Sequence, residues 1–240
     1  MIKGLGTLIN ALAIIAAGII GVVCRKYIKQ SYQETIIKAA GLAVMFMGAA
    51  DTLSRMIVIS DGGKSRSTTG TINIVISLAL GGLIGEIIDI DGLFNRLGAW
   101  LKHKSGSDGD NRFINGFVTA SLTVGIGAMG IMGAINDGIY GDYSILAAKA
   151  TIDFVIILVM ASSMGKGCAF SSLTVIVTQG SITVLAALFG GMLTDAMLIN
   201  IAMTGGILVF CVGLNLIWEN TIKVANLLPA LIVTIVIAMI

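Results

Sequence analysis

Apolar residues run along this chain in blocks too long for the interior of a small water-soluble domain. The first covers residues 5–24 (LGTLINALAIIAAGIIGVVC), and others occupy about 35–51, 71–88, 114–136, 145–164, 168–188, 196–217 and 226–240. A helix rises about 1.5 Å per residue, so roughly 20 residues cross the hydrocarbon of a bilayer. The pattern predicts an all-α, polytopic integral membrane helix bundle of seven or eight transmembrane helices in a single domain over 1–240. The last run, which holds the only proline, Pro229, separates the two counts because it is marginal for a full span. The first run is followed directly by Arg25 and Lys26, with no small-residue cleavage site, and reads as a retained helix.

The segment 89–112 has a different rhythm. Ile90, Leu93, Phe94, Leu97 and Leu101 recur at helical spacing beside Asn95, Arg96 and Lys102, the signature of a helix lying flat in the headgroups. It leads into HKSGSDGDNR (103–112), too polar to pack, so 89–112 is expected to be a cytoplasmic interfacial helix plus a flexible linker between two halves of the bundle. An internal repeat is also expected. Gly6, Thr7, Asn10, Gly18 and Gly21 in the first helix echo Gly70, Thr71, Asn73, Gly82 and Gly85 in the third, and Gly180, Ser181, Gly190 and Gly191 in the sixth. The third and sixth helices would insert in opposite directions, as in the inverted repeats of many transporters.

Composition narrows the function classes. Hydrophobic residues make up 56% of the chain and charged residues only 12%, half the share of an average soluble protein, so a soluble domain is excluded. A net charge of +2 leaves no basic footprint for nucleic acid. Cys24, Cys168 and Cys211 have no paired spacing and read as small packing residues. The only histidine, His103, falls in the linker, so no histidine-based metal or nucleophile site is expected, nor any cofactor. Enzyme chemistry is not expected. An intramembrane hydrolase would need Asp137 and Asp153 to share one depth.

Basic residues set an orientation, because cytoplasmic loops retain Lys and Arg. Arg25, Lys26, Lys29, Lys38, Arg96, Lys102, Lys104, Arg112, Lys166 and Lys223 fall on one side, against Lys3, Arg55, Lys64, Arg66 and Lys149 on the other. Taking eight helices, this places both termini outside and the loops 25–34 and 89–112 in the cytoplasm.

An ionisable side chain at bilayer depth costs about 2.5–3.5 kcal/mol on insertion scales, so one near a helix centre needs a partner or a role. Asp153 is such a residue, with Lys149 four positions earlier on the same face. Two readings stay open: a helix-internal pair with no further role, or a carboxylate facing a polar path that binds a cation or relays a proton. Asp51, Glu86 and Asp137 stand at helix ends, where water or capping can serve them, and could gate or line the route. Asn10, Asn73, Gln179 and Asn215 are buried amides that could bridge helices or offer neutral ligands. Around Gln179 the sequence VTQGS predicts a broken helix. Gly125, Gly127, Gly130 and Gly133 read as a smooth ridge for close packing.

Several phrases together resemble a known family: GTLINALAIIAAGIIG (6–21), LGGLIGEIIDIDGLFNRLGAWLK (80–102), GFVTASLTVGIGAMGIMGAINDGIYGDYSIL (116–146) and the tail with GLNLI and IKVANLLPALIV. They are similar to the YdfK/YqgA-type bacterial inner-membrane proteins, a family defined by an unknown-function domain. The loop 54–70 is longer than the resemblance implies. The resemblance implies a multi-pass protein of the bacterial cytoplasmic membrane. Together with the residues, it sets the expectation of a secondary transporter or channel for a small solute or ion, working as a homo-oligomer in the lipid bilayer. The competing expectation is a non-transporting scaffold or sensor.

Overall fold

The computed structural model describes residues 3–60, 65–189, 194–218 and 221–239. Its helices are α1 (Leu5–Arg25), α2 (Gln30–Met56), α3 (Thr71–Ile88), α4 (Ile90–Lys104), α5 (Phe113–Gly125), α6 (Ala128–Tyr140), α7 (Ser144–Met164), α8 (Ser171–Phe189), α9 (Asp195–Ile217) and α10 (Ala230–Ala238). An all-α polytopic membrane bundle is therefore what the chain forms. By length and composition six helices can cross a bilayer, or seven where α5 and α6, bent by 60°, are taken together as one crossing. The apolar stretch Val224–Ala238 is shorter. The one sheet among the described residues is a hairpin between α2 and α3. Its strands, β1 (Ile57–Ser60) and β2 (Ser65–Thr68), pair antiparallel with Ile57 opposite Thr68, so the long loop 54–70 is a further turn of α2 followed by this hairpin. Lys64, Gly190 and Gly191, which entered the charge count and the repeat, lie outside the described residues.

Chain ends and turns sort into two sides. A methyl group at Gly165, after α7, would stand 2.8 Å from the Arg25 guanidinium and 3.1 Å from the Asp110 carboxylate, so the ends of α1 and α7 and the 105–112 segment meet on one side, here called the linker side. The start of α1 meets the end of α6 on the opposite side. α3 and α8 run in opposite directions between the two, as an inverted pair requires, although α3 packs on α10 and α8 packs on α1, α5 and α6. The linker is hydrogen-bonded rather than loose: Ser107 is buried, its amide donates to the Lys102 carbonyl, and Arg112 donates to the Ser163 carbonyl 3.1 Å away. α4 splits its apolar stripe, placing Phe94 and Leu101 against Phe117 and Phe113 and leaving Leu93, Leu97 and Trp100 outward.

Missing side chains set the closest approaches. Gly41 and Gly48 of α2 are seven residues apart, as are Gly206 and Gly213 of α9, and each glycine of one helix lies on a glycine of the other. A methyl group at Gly48 would stand 2.4 Å from the Gly206 carbonyl oxygen, and one at Gly41 would stand 2.9 Å from the Gly213 oxygen. The backbones touch, and dispersion between them replaces the hydrophobic drive that lipid cannot supply. Inside, Ile14, Ala17, Val44, Ala120, Val124, Ile157, Met160 and Val175 form the core where α1, α2, α5, α7 and α8 meet. Outside, Leu8, Leu12, Ile19 and Val23 on α1 and Ile72, Val75, Leu83 and Ile87 on α3 are exposed, a surface that acyl chains match and water does not.

Candidate functional site

The crossing made by α5 and α6 is interrupted in mid-course, and the interruption lies at Ile126 and Gly127. Ile126 is extended (φ −107°, ψ 140°) and Gly127 adopts φ 142°, a region that side-chain-bearing residues rarely enter. The four glycines read as a packing ridge thus include the residue that permits a break. The break expected at Gln179 is absent: α8 is one helix from Ser171 to Phe189. Thr178 and Ser181 satisfy their hydroxyls on carbonyls of their own helix, at 2.8 and 3.0 Å, so local polarity there costs no backbone hydrogen bonds.

A broken helix exposes carbonyls at one cut end and amides at the other. Lys149 serves the first end, its Nζ donating to the Val124 carbonyl oxygen at 2.9 Å. The same ammonium lies 2.5 Å from Asp153 Oδ2. That oxygen also accepts from Asn10 Nδ2 at 3.0 Å, and Asn10 Nδ2 donates to Gln179 Oε1 at 3.4 Å. Four helices, α1, α5, α7 and α8, thus converge on one buried polar cluster in which Lys149 is 6% and Asp153 4% exposed. Lys149 had been counted among loop charges in the orientation, and its burial removes it from that count. Beside the cluster, Thr7 Oγ1, Asn10 Oδ1, Gln179 Nε2 and Thr183 Oγ1 are buried without a hydrogen-bond partner. Thr7 lies one turn before Asn10 on α1, and Thr183 one turn after Gln179 on α8. In the sequence Thr7 marks only the repeat and Thr183 nothing, because hydroxyls in apolar helices are common.

Asp137 sits one turn along α1. Its two carboxylate oxygens accept from the amides of Gly4 at 3.1 Å and Gly6 at 3.0 Å, and the residue is fully buried rather than water-facing. It fills the positive end of the α1 dipole where no side chain of α1 caps it. Asp137 and Asp153 therefore have separate partners about 6 Å apart along the α1 axis and do not form a proton-sharing pair. An Asp137→Asn variant keeps one acceptor oxygen and loses the charge. It should cost about 1–3 kcal/mol and show as faster hydrogen exchange of the amides at residues 4–8.

The remaining residues singled out in the sequence lie elsewhere. Among the described residues Asn73 accepts only from Ser77 Oγ, at 3.4 Å on its own helix, and does not join the cluster. Asp51 pairs with Arg55 near the far end of α2. Glu86 binds Lys223 Nζ at 2.6 Å and Asn226 Nδ2 at 2.6 Å on the linker side, and this hydrogen bond holds the exposed Lys223 ammonium above its ordinary lysine range. Asn215 closes the turn after α9, donating to the Ile222 carbonyl at 2.6 Å and accepting from its amide at 3.0 Å.

Two cavities approach the cluster's level from opposite directions. The larger, about 770 Å³, is on the linker side and polar, with Gln33, Asn95, Arg112, Asn115 and Asn215 in its wall, and ends inward at Leu122 and Val212. The other, about 460 Å³, runs from Asp51 and Ser54 to Lys149 and Asp153 and ends at Thr123 and Val209. On α5 the two linings meet at adjacent residues, and on α9 they stand three residues apart. Leu122, Leu208 and Val212 are packed there in one apolar cluster, which forms the partition.

A family model, "Protein of unknown function (DUF554)", matches residues 5–239. The chain belongs to this family. It is 31% identical over 228 residues to "Uncharacterized membrane protein YdfK" of Bacillus subtilis (strain 168), covering 95% of this chain and 93% of the relative. It is also 27% identical over 232 residues to "Uncharacterized protein YqgA" of Escherichia coli (strain K12), with the same coverage. No solved structure matches. Together with the apolar helices, these relatives make the DUF554 chain a multi-pass membrane protein.

Proposed function

We propose that this DUF554 protein is a proton-coupled secondary transporter of a small solute in the bacterial cytoplasmic membrane, working as a homo-oligomer. The observation that carries the reading is the pair of cavities divided by the thin partition at Leu122, Leu208 and Val212, with Lys149 and Asp153 in the wall of one of them. A closed partition between two half-channels suits alternating access around a fixed mid-membrane site, and the interrupted α5–α6 crossing is the element able to move. Asp153 takes up and releases the proton. Lys149 balances its charge while it is ionised, and Asn10 and Gln179 hold the carboxylate in place. Asp51, paired with Arg55, lines the outer approach; Asn215 and Lys223 line the linker-side approach.

The test is proton flux into proteoliposomes after a pH jump, with a mixture of small metabolites supplied on the far side. Asp153→Asn preserves an acceptor oxygen for Asn10 and Lys149 but leaves the buried Lys149 charge unbalanced, so flux is compared per folded, incorporated protein, with Lys149→Met/Asp153→Asn as the charge-balanced second variant. Flux should fall at least about tenfold. Equal flux at equal incorporation, or no flux from the unaltered protein, removes the transport reading and leaves a membrane scaffold or sensor.

A further inference from the structure

The second cut end of the broken crossing is the N-terminus of α6, and no side chain caps it. Among the described residues the Met129 amide has no acceptor, while the Gly130 amide turns back to the Gly127 carbonyl at 3.1 Å. A 13-residue helix carries about half a positive charge at such an end, and in a water-poor interior unmatched amides favour an anion strongly.

A second observation points to the same ligand. Gln179 is 1% exposed, and its Nε2 is a buried donor without a partner. Its orientation is fixed by neighbours, since Asn10 must spend its amide on Asp153 and can donate only to the Gln179 oxygen. Nε2 is thereby turned to the first turn of α6, where a methyl group at Gly130 would stand 3.3 Å from it and 3.2 Å from Lys149 Cε. The first turn of α6, the orphan Gln179 donor and the Lys149 side chain thus meet at one spot. Gly127, Met129, Lys149 and Asp153, beside this spot, stand in the wall of the 460 Å³ cavity.

We infer that this spot binds the carboxylate of a small aliphatic monocarboxylic acid. The charge fits one negative unit: Lys149 is already half-spent on Asp153, so a dianion such as phosphate would face an uncompensated charge beside an acidic side chain. The rest of the cavity wall, Val44, Met47, Ile126, Ile152, Ile156 and Val209, offers an aliphatic body an apolar berth. The inference deepens the transport reading and rests on it for the claim that solute enters this cavity. A proton on Asp153 would release Lys149 to the incoming anion, so that proton and carboxylate enter as a neutral sum.

The test is thermal stabilisation of the full-length protein in detergent micelles by isovalerate, isovaleramide or laurate. Isovalerate should protect. Isovaleramide, the same shape without charge, should protect at least tenfold less on a concentration scale. Protection equal for acid and amide, or by laurate alone, overturns the proposal, the latter by assigning the cavity to a bilayer lipid. Gln179→Glu should abolish isovalerate protection, and should that variant fail to fold, Gly130→Ala, whose methyl narrows the same spot, should weaken it several-fold. Unaltered protection in a folded variant also overturns the proposal. Failure here with Asp153-dependent flux intact removes only the carboxylate, whereas protection without flux keeps the site and removes transport.

Discussion

Lys149→Met should be among the most damaging single substitutions in the protein, lowering stability by about 3–5 kcal/mol. The methionine fills the same space, but Asp153 would keep only the Asn10 amide, and the Val124 carbonyl at the cut end of α5 would lose its donor. The loss comes from a charge stranded at 4% exposure rather than from the worth of the pair itself. The double variant Lys149→Met/Asp153→Asn should therefore recover most of it, a non-additivity that thermal unfolding of the four proteins in micelles would measure. Two mild single variants with additive effects would show instead that water reaches the pair freely, and the cluster would then be no more than a solvated helix-surface contact.

The second large effect is expected at the α2–α9 contact. Gly48→Leu places carbon where the Gly206 oxygen and the Phe210 nitrogen stand 2.4 and 2.5 Å from a first methyl, and both are backbone atoms that cannot turn aside. The helices must separate, which also breaks the 3.0 Å bond from Thr52 Oγ1 to the Met203 carbonyl one turn away. Overpacking costs about 1–3 kcal/mol where side chains can give, so the loss here should reach the upper end or beyond. Gly180→Leu is the matched control. Nothing lies within 4 Å of that position, and leucine favours the helix more than glycine does, so stability should hold or rise. Both are read as the unfolding midpoint of purified protein. A Gly48→Leu protein as stable as Gly180→Leu would show that the two helices are not in backbone contact.

Much of the architecture was legible because the bilayer imposes a strong and simple constraint. Apolar runs at 71–88, 145–164 and 196–217 reappear as α3, α7 and α9 almost to the residue, and the amphipathic pattern after α3 reappears as α4. The pair Lys149 and Asp153 was legible as well, since four residues on one helix face fix their separation without any tertiary knowledge. The break was not. Glycine serves equally as a thin surface for packing and as a residue free to adopt positive φ, and the sequence GIGAMGIMG satisfies both until a neighbour chooses. Lys149 makes that choice by capping the Val124 carbonyl from 25 residues further along the chain. At Gln179 the ambiguity resolved the other way, because Thr178 and Ser181 found acceptors on their own turn.

What the sequence determined by itself is what depends on length and on near neighbours: how many residues cross, where the amphipathic helix lies, and that a lysine and an aspartate share one helix face. Tertiary structure alone decided which polar groups meet. Asn10, Asp153 and Gln179 come together while Asn73, with the same chemistry, stays on its own helix, and Asp137 caps the start of α1 from 131 residues away. The physical reason is that a buried hydrogen bond requires approach within about 3 Å, and in a membrane that approach is set by which helix backbones lie close enough to touch.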